Sequence, residues 1–264
     1  MKTTQSKDGT NIAYDVYGSG PALIYITGAS CFRSFMPIVD DAKILAKEFT
    51  VYNYDRRGRG DSTDTLPWAV EREVEDIQAM IDAAGGTAYL YGHSSGAVLA
   101  LEAALRLPDK VQKVVMYDPP YVHDEEEKAE YEKLSRKVHS LLEAGKNAEA
   151  MTGFLKGIGI PKAFVFLFRI MPGWSTMVAL APTLAYDIAL TDDMPPIERA
   201  SQVTLPVQIA VGGKNPERIH AVGKELAQAI PGSEFVVLPG QSHMVNTKVL
   251  LPVLTSFLKK ESTA

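Results

Sequence analysis

Apolar residues follow two alternating rhythms along this chain. The first segment, KTTQSKDGTNIAYDVYG, alternates apolar and polar positions on either side of Asp8 and Gly9. Asp-Gly between alternating segments is the strongest short hairpin signal, so two antiparallel strands open the chain. Six continuous apolar runs follow: ALIYIT, FTVYNYD, TAYLYG, KVVMYD, PVQIAV and EFVVLP. Strands buried on both faces, as in a parallel sheet, read this way. Helical spacing fills the intervals. In WAVEREVEDIQAMIDAAGG, Val70, Val74, Ile77 and Ile81 line one helix face, and Gly85 with Gly86 supplies a stop. SGAVLALEAALRL and ERIHAVGKELAQAI share that spacing. Strands alternating with helices predict βαβ units: an α/β fold with about eight mostly parallel strands and helices on both faces.

The alternation stops between about residues 121 and 195. HDEEEKAEYEKLSRKVHSLLEAG is charged and helical, KAFVFLFRIMPGWSTMVALAP is aromatic and Met-rich, and no strand-like run separates them. The pattern predicts a core of residues 1–120 and 196–264, with a helical cap at 121–195 inserted after the sixth strand. Arg169, Pro172 and Gly173 break the apolar stretch well short of the roughly 18 to 20 continuous apolar residues of a membrane span. Phe164, Phe168, Met171 and Trp174 are candidates to line an apolar substrate pocket. The alternative is that they fill the cap's own core.

Composition removes several classes of function. With 46% hydrophobic and 22% charged residues the chain matches an ordinary globular protein. A net charge of -5, with no concentrated Lys/Arg surface, argues against a nucleic-acid partner. The single cysteine, Cys31, leaves no intrachain disulfide and no cysteine-built metal cluster. The start, MKTTQSKDGT, lacks the apolar run of a signal peptide, so a cytoplasmic protein is expected, with no membrane partner.

Chemistry enters with LYGHSSGA. Gly92, Ser94 and Gly96 form GxSxG directly after a strand-like run and before a helical one, the context a nucleophile elbow needs. A serine hydroxyl requires a base within hydrogen-bond reach. Of the five histidines, His93 adjoins the serine, His123 and His139 fall in the cap, and His220 sits on a helical pattern. His243 follows the last strand-like run, in PGQSHMV, at a strand end where α/β sheets place working groups. Asp118, in VVMYDPP, ends the sixth strand on the same sheet edge, and adjacent strands lie only about 4.8 Å apart. The competing reading is that Asp118 caps the turn before Pro119 and Pro120. Glu217 is a rival acid.

These motifs resemble the α/β-hydrolase superfamily: the opening hairpin, Thr27-Gly28 after the third strand, YDRRGRGDS after the fourth, GHSSG after the fifth and SH after the eighth. The resemblance implies that Ser94 is the nucleophile and His243 the base. It makes the backbone N–H groups of Ala29 and Ser95 the oxyanion donors. It implies no metal or organic cofactor. YDRRGRGDS matches a structural turn. The superfamily usually sets its acid after the seventh strand, where VGGKNPER has Asn215, although some members carry it after the sixth, where Asp118 stands. On this reading Asn215 marks a vacated acid site. The implied activity is hydrolysis of a small or medium apolar ester or lactone. A binding protein on a hydrolase scaffold, and an acyltransferase or perhydrolase, are the alternatives.

Overall fold

A computed structural model describes residues 1–170 and 173–260. Its eight strands are β1 (Lys2–Gln5), β2 (Asn11–Tyr17), β3 (Ala22–Ile26), β4 (Thr50–Tyr54), β5 (Ala88–His93), β6 (Val111–Tyr117), β7 (Val207–Gly212) and β8 (Glu234–Leu238). They form one sheet in the order β1-β2-β4-β3-β5-β6-β7-β8. The β1–β2 and β2–β4 pairs are antiparallel, and every later pair is parallel. This is the mostly parallel α/β sheet that the apolar runs predict. Gly9 turns the opening hairpin with φ of 90°, a conformation that favours glycine.

Helices cover both faces. One face carries α2 (Val70–Ala83), α3 (Ser95–Arg106) and α10 (Glu217–Ala229), whose buried side chains join Ile24, Ile26, Leu90, Val114 and Ile209 in a single core. The other carries α1 (Met36–Leu45) and α11 (Thr247–Leu258), packed on Leu23, Tyr25, Val51, Val115 and Ala210. Alternate residues of one strand thus serve opposite cores, as the two-residue period of a strand requires. Between β6 and β7 the chain is helical: α4 (Glu125–Glu143), α5 (Asn147–Gly157), α6 (Lys162–Ile170), α7 (Trp174–Ala179), α8 (Leu184–Thr191) and the short α9 (Ile197–Ala200). Asp124 caps α4 by accepting from the Glu127 N–H, and three glutamates in its first turn suit the positive end of the helix dipole. The insertion has its own apolar cluster around Val138, Met151, Phe154, Leu184 and Ile188. No described helix is long and apolar enough to cross a membrane.

The YDRRGRGDS turn is structural, but it is not the solvated scaffold that its charges suggest. Arg56, Arg57 and Arg59 are among the largest fully buried side chains of the protein. Arg57 grips Asp76 of α2 through two hydrogen bonds of 2.7 and 2.8 Å and reaches Asp8 in the first hairpin at 2.9 Å. A bidentate guanidinium–carboxylate pair satisfies both buried charges, and removing one member strands the other. Arg57→Met is therefore expected to destabilise the fold by about 3–5 kcal/mol. Arg57→Met combined with Asp76→Leu should recover most of that loss. Urea denaturation of the two variants tests this, and a double variant as unstable as the single one would refute the pairing argument.

Candidate active site

Ser94 lies at the apex of the turn from β5 into α3, with φ of 57° and ψ of -130°. The strain is enforced by packing. A Cβ on Gly92 would fall 2.3 Å from the Gly96 oxygen, and one on Gly96 would fall 2.1 Å from the Ile26 oxygen. Real side chains do not approach so closely. Both glycines of GxSxG are thus what lets α3 press against β3 and β5 and hold the serine up from the sheet edge. Gly28, after β3, is equally constrained: a Cβ there would fall 2.8 Å from Ser94 Cβ. The 27–29 turn therefore runs directly alongside the serine.

Asp118 follows β6 with φ of 48°, a left-handed conformation that aspartate tolerates better than most residues. Its carboxylate is fully buried. Oδ1 accepts from the Gly212 N–H at 3.0 Å, while Oδ2 accepts from Asn215 Nδ2 at 2.6 Å and faces His243 Nδ1 at 3.2 Å. The structure thus brings Asp118 and His243 together. Glu217, the rival acid, begins α10 and directs its carboxylate at Lys224, with its side chain 83% exposed.

Asn215 is not a bystander. The residue standing where the superfamily usually has its acid donates to the carboxylate one strand over. Sequence reasoning missed this because Asn215 and Asp118 are 97 positions apart and an amide in a turn carries no sign of its partner.

The His243 loop is held from below by two further bonds. Tyr117 OH donates to the Ser242 carbonyl at 2.7 Å, and His93 Nε2–H donates to the His243 carbonyl at 2.9 Å. The His93 ring also lies between Tyr117 and His243, at centroid distances of 5.5 and 5.0 Å. His243 itself has a side chain 44% exposed, so its ring can meet an incoming molecule.

Beneath the elbow is a buried ion network. The Asp187 carboxylate, on α8, accepts from Ser95 Oγ at 2.7 Å, from Arg56 at 2.8 Å and from Arg59 at 2.7 Å. Burial pushes the Asp187 carboxyl up, but Arg59 and Arg56 overcome this and hold it below the usual carboxylate range. Cys31, just past the 27–29 turn, is inert by contrast, since burial pushes its thiol up to about 11.

The candidate lining residues divide. Phe168 and Trp174 pack on the insertion's own apolar cluster, as does Ala29 from the 27–29 turn. Phe164, on α6, is 55% exposed and does not belong to that cluster. Met171 lies outside the described residues. A cleft of about 490 Å³ lined by His123, Asp124, Glu127, Glu130 and Arg218 shares no residue with the Ser94 region. Among the described residues no group of three or more His, Cys, Asp or Glu side chains could hold a metal ion.

Known proteins agree with this architecture. A model of the alpha/beta hydrolase family matches residues 18–248. The chain is 29% identical over 258 residues to the 2-(acetamidomethylene)succinate hydrolase of Mesorhizobium japonicum, covering 91% of this chain and 89% of that one. The uncharacterized hydrolase YraK of Bacillus subtilis is 33% identical over 115 residues, so the match spans 42% of that relative's length and 42% of this chain. An alpha/beta hydrolase from Sphaerobacter thermophilus has a TM-score of 0.87 at 39% identity, over 97% of this chain and 100% of that one. The enol-lactonase from Burkholderia xenovorans shares the fold with a TM-score of 0.71 at 21% identity, over 98% of this chain and 100% of that one. With the family match spanning most of its length, this chain belongs to the alpha/beta hydrolase family.

Proposed function

We propose that the protein is a serine hydrolase that cleaves a small or medium apolar ester or lactone through an acyl-enzyme intermediate. The observation that carries the reading is the buried Asp118 carboxylate facing His243 Nδ1 on the sheet edge that also presents Ser94. Asp118 accepts the Nδ1–H, which fixes the tautomer that leaves Nε2 free to take a proton. Ser94 Oγ attacks the acyl carbon as its proton passes to His243 Nε2. The carbonyl electrons move onto oxygen, where the Ala29 and Ser95 N–H groups meet the developing charge. Collapse expels the alcohol oxygen, which takes the proton from His243. Water repeats the sequence on the acyl-enzyme and releases the acid. The relative from Mesorhizobium cleaves, by its name, an acetamido compound, and amide cleavage would use the same groups. The apolar insertion cluster meeting Ala29 favours an apolar acyl group here.

A fluorophosphonate probe tests the nucleophile without knowledge of the substrate. Intact mass should rise by one probe, peptide mapping should place it on Ser94, and Ser94→Ala should abolish it. Folded protein that resists the probe would sink the hydrolase reading and favour a binding protein on the same scaffold.

The acid is tested by a pair of substitutions. Asp118→Asn keeps the shape but stabilises the wrong imidazole tautomer, so kcat on p-nitrophenyl acetate should fall by about 10³ or more. Asn215→Ala removes one donor to a charged carboxylate, a bond worth about 1.5–3 kcal/mol, and should lower kcat roughly tenfold with KM unchanged. Asn215→Ala matching wild type would show that the amide has no part in holding Asp118.

Acid sensitivity follows from His93. Burial, reinforced by the charge of His243, lowers His93 from 6.5 to about 4. The folded value lies below the unfolded one, so the native state binds fewer protons between them. The resulting stability is full above about pH 6.5 and is lost as pH falls toward 4. His93→Gln keeps an N–H donor and does not titrate, so its Tm should drop less than that of wild type on acidification across that window. Parallel Tm curves would remove His93 from the account.

A further inference from the structure

We infer that Asp187, a residue of the helical insertion, and Arg59 are positioning residues of the oxyanion hole. They hold the Ala29 and Ser95 N–H groups at a fixed separation on either side of Ser94. The inference rests on the serine-hydrolase reading above.

The geometry begins with a single peptide unit. Arg59 donates one guanidinium N–H to the Gly28 carbonyl at 2.8 Å. The Gly28 C=O and the Ala29 N–H are opposite ends of the same planar unit, and a trans peptide points them in opposite directions. A guanidinium fixed at the oxygen therefore fixes the direction of the N–H. It also draws electron density toward the oxygen, and chains of hydrogen bonds polarise one another in this way, so the N–H becomes a better donor.

The other end of the same guanidinium donates to Asp187 Oδ2 at 2.7 Å. Asp187 Oδ1 accepts from Ser95 Oγ at 2.7 Å. Ser95 is the first residue of α3, where a backbone N–H has no intrahelical acceptor and stays free for a ligand. One continuous path therefore runs from the Ala29 peptide through Arg59 and Asp187 to Ser95. Each donor comes from a different element, and the path clamps the two elements together.

The clamp is rigid because it is dry and paired. Arg56, Arg59 and Asp187 are each no more than 1% exposed. Arg56 bridges Asp187 to Glu73 of α2, with bonds of 2.6 and 2.7 Å to the glutamate, and so anchors the path to the helix layer under the sheet. Two guanidinium groups face two carboxylates, so the network contributes orientation and not net positive charge. Asp187 belongs to α8, so the segment between β6 and β7 meets this region twice, through the Asp187 carboxylate and through the apolar cluster that packs on Ala29.

The test uses two variants. Asp187→Asn keeps the side-chain shape but weakens both the Arg59 and the Ser95 contacts. Ser95→Ala removes only the hydroxyl tether, keeps the backbone donor and leaves the buried charges paired, so it remains informative if Asp187→Asn fails to fold. The readouts are the second-order rate of Ser94 phosphonylation by a fluorophosphonate, kcat and KM on p-nitrophenyl acetate, and the pH profile of kcat/KM. Loss of one whole oxyanion donor costs about 10²–10³ in kcat. Misaligned donors in Asp187→Asn should cost about 10- to 100-fold in both kcat and phosphonylation rate. KM and the apparent pKa of the profile should stay unchanged, because His243 and Asp118 are untouched. Ser95→Ala should show a smaller loss with the same signature. Folded variants that phosphonylate at the wild-type rate would overturn the inference while leaving the hydrolase reading intact. A moved pH profile, or a change confined to KM or Tm, would likewise overturn it. Wild-type protein that fails to label would overturn both.

Discussion

The close approach of α3 to β3 is the constraint on which the rest of the site depends. At Gly96 the helix backbone comes so near Ile26 that a single added carbon would sit 2.1 Å from its carbonyl oxygen. That approach forces the chain through a sharp turn at Ser94, so the serine adopts φ of 57°. It also brings the 27–29 turn alongside, with Gly28 against the Ser94 side chain. The positions of the candidate nucleophile and the candidate oxyanion donors are therefore consequences of one packing contact, and tight interiors hold such contacts without slack.

Placing charges around that contact raises a second problem, because unpaired buried charges cost several kcal/mol each. The protein answers it twice with complete donor sets. Asp118 has a backbone N–H, an amide and an imidazole. Asp187 has two guanidinium groups and a hydroxyl. Full pairing keeps both carboxylates in one orientation. A carboxylate held in one orientation can set the direction of its partners, His243 in one case and the elbow in the other.

The fold was largely legible in the sequence. Strands buried on both faces leave long apolar runs, and GxSxG between a strand and a helix is a local pattern with a local cause. Asp118 could be singled out as a candidate because its position at a strand end is also local. The ion network could not. Asp187 lies 128 residues from Arg59, in a helix whose sequence, LAYDIALT, shows one acid among apolar neighbours and nothing of its three partners. The YDRRGRGDS turn reads as structural in the sequence, but the partners of its charges do not show there, since the opposite charges arrive from α2 and α8. Asn215 was read as an absence because only a carboxylate was sought at that turn.

Asn215 and Asp118 are better understood as a single arrangement. Asp118, at the end of β6, stands one strand away from the β7 turn, and His243, beyond β8, is reached across that turn. A second carboxylate left at residue 215 would face Asp118 within hydrogen-bond distance, and like charges so close cannot both stay ionised. One would hold a proton, and the orientation of the imidazole would then depend on which. An amide of the same shape removes the competing charge and supplies a donor at 2.6 Å. The left-handed turn at Asp118, with φ of 48°, aims the carboxylate toward β7 so that it meets the Gly212 N–H, the Asn215 amide and the His243 ring together. The asparagine therefore gives the buried Asp118 carboxylate a donor at the place where a second carboxylate would compete with it for the His243 ring.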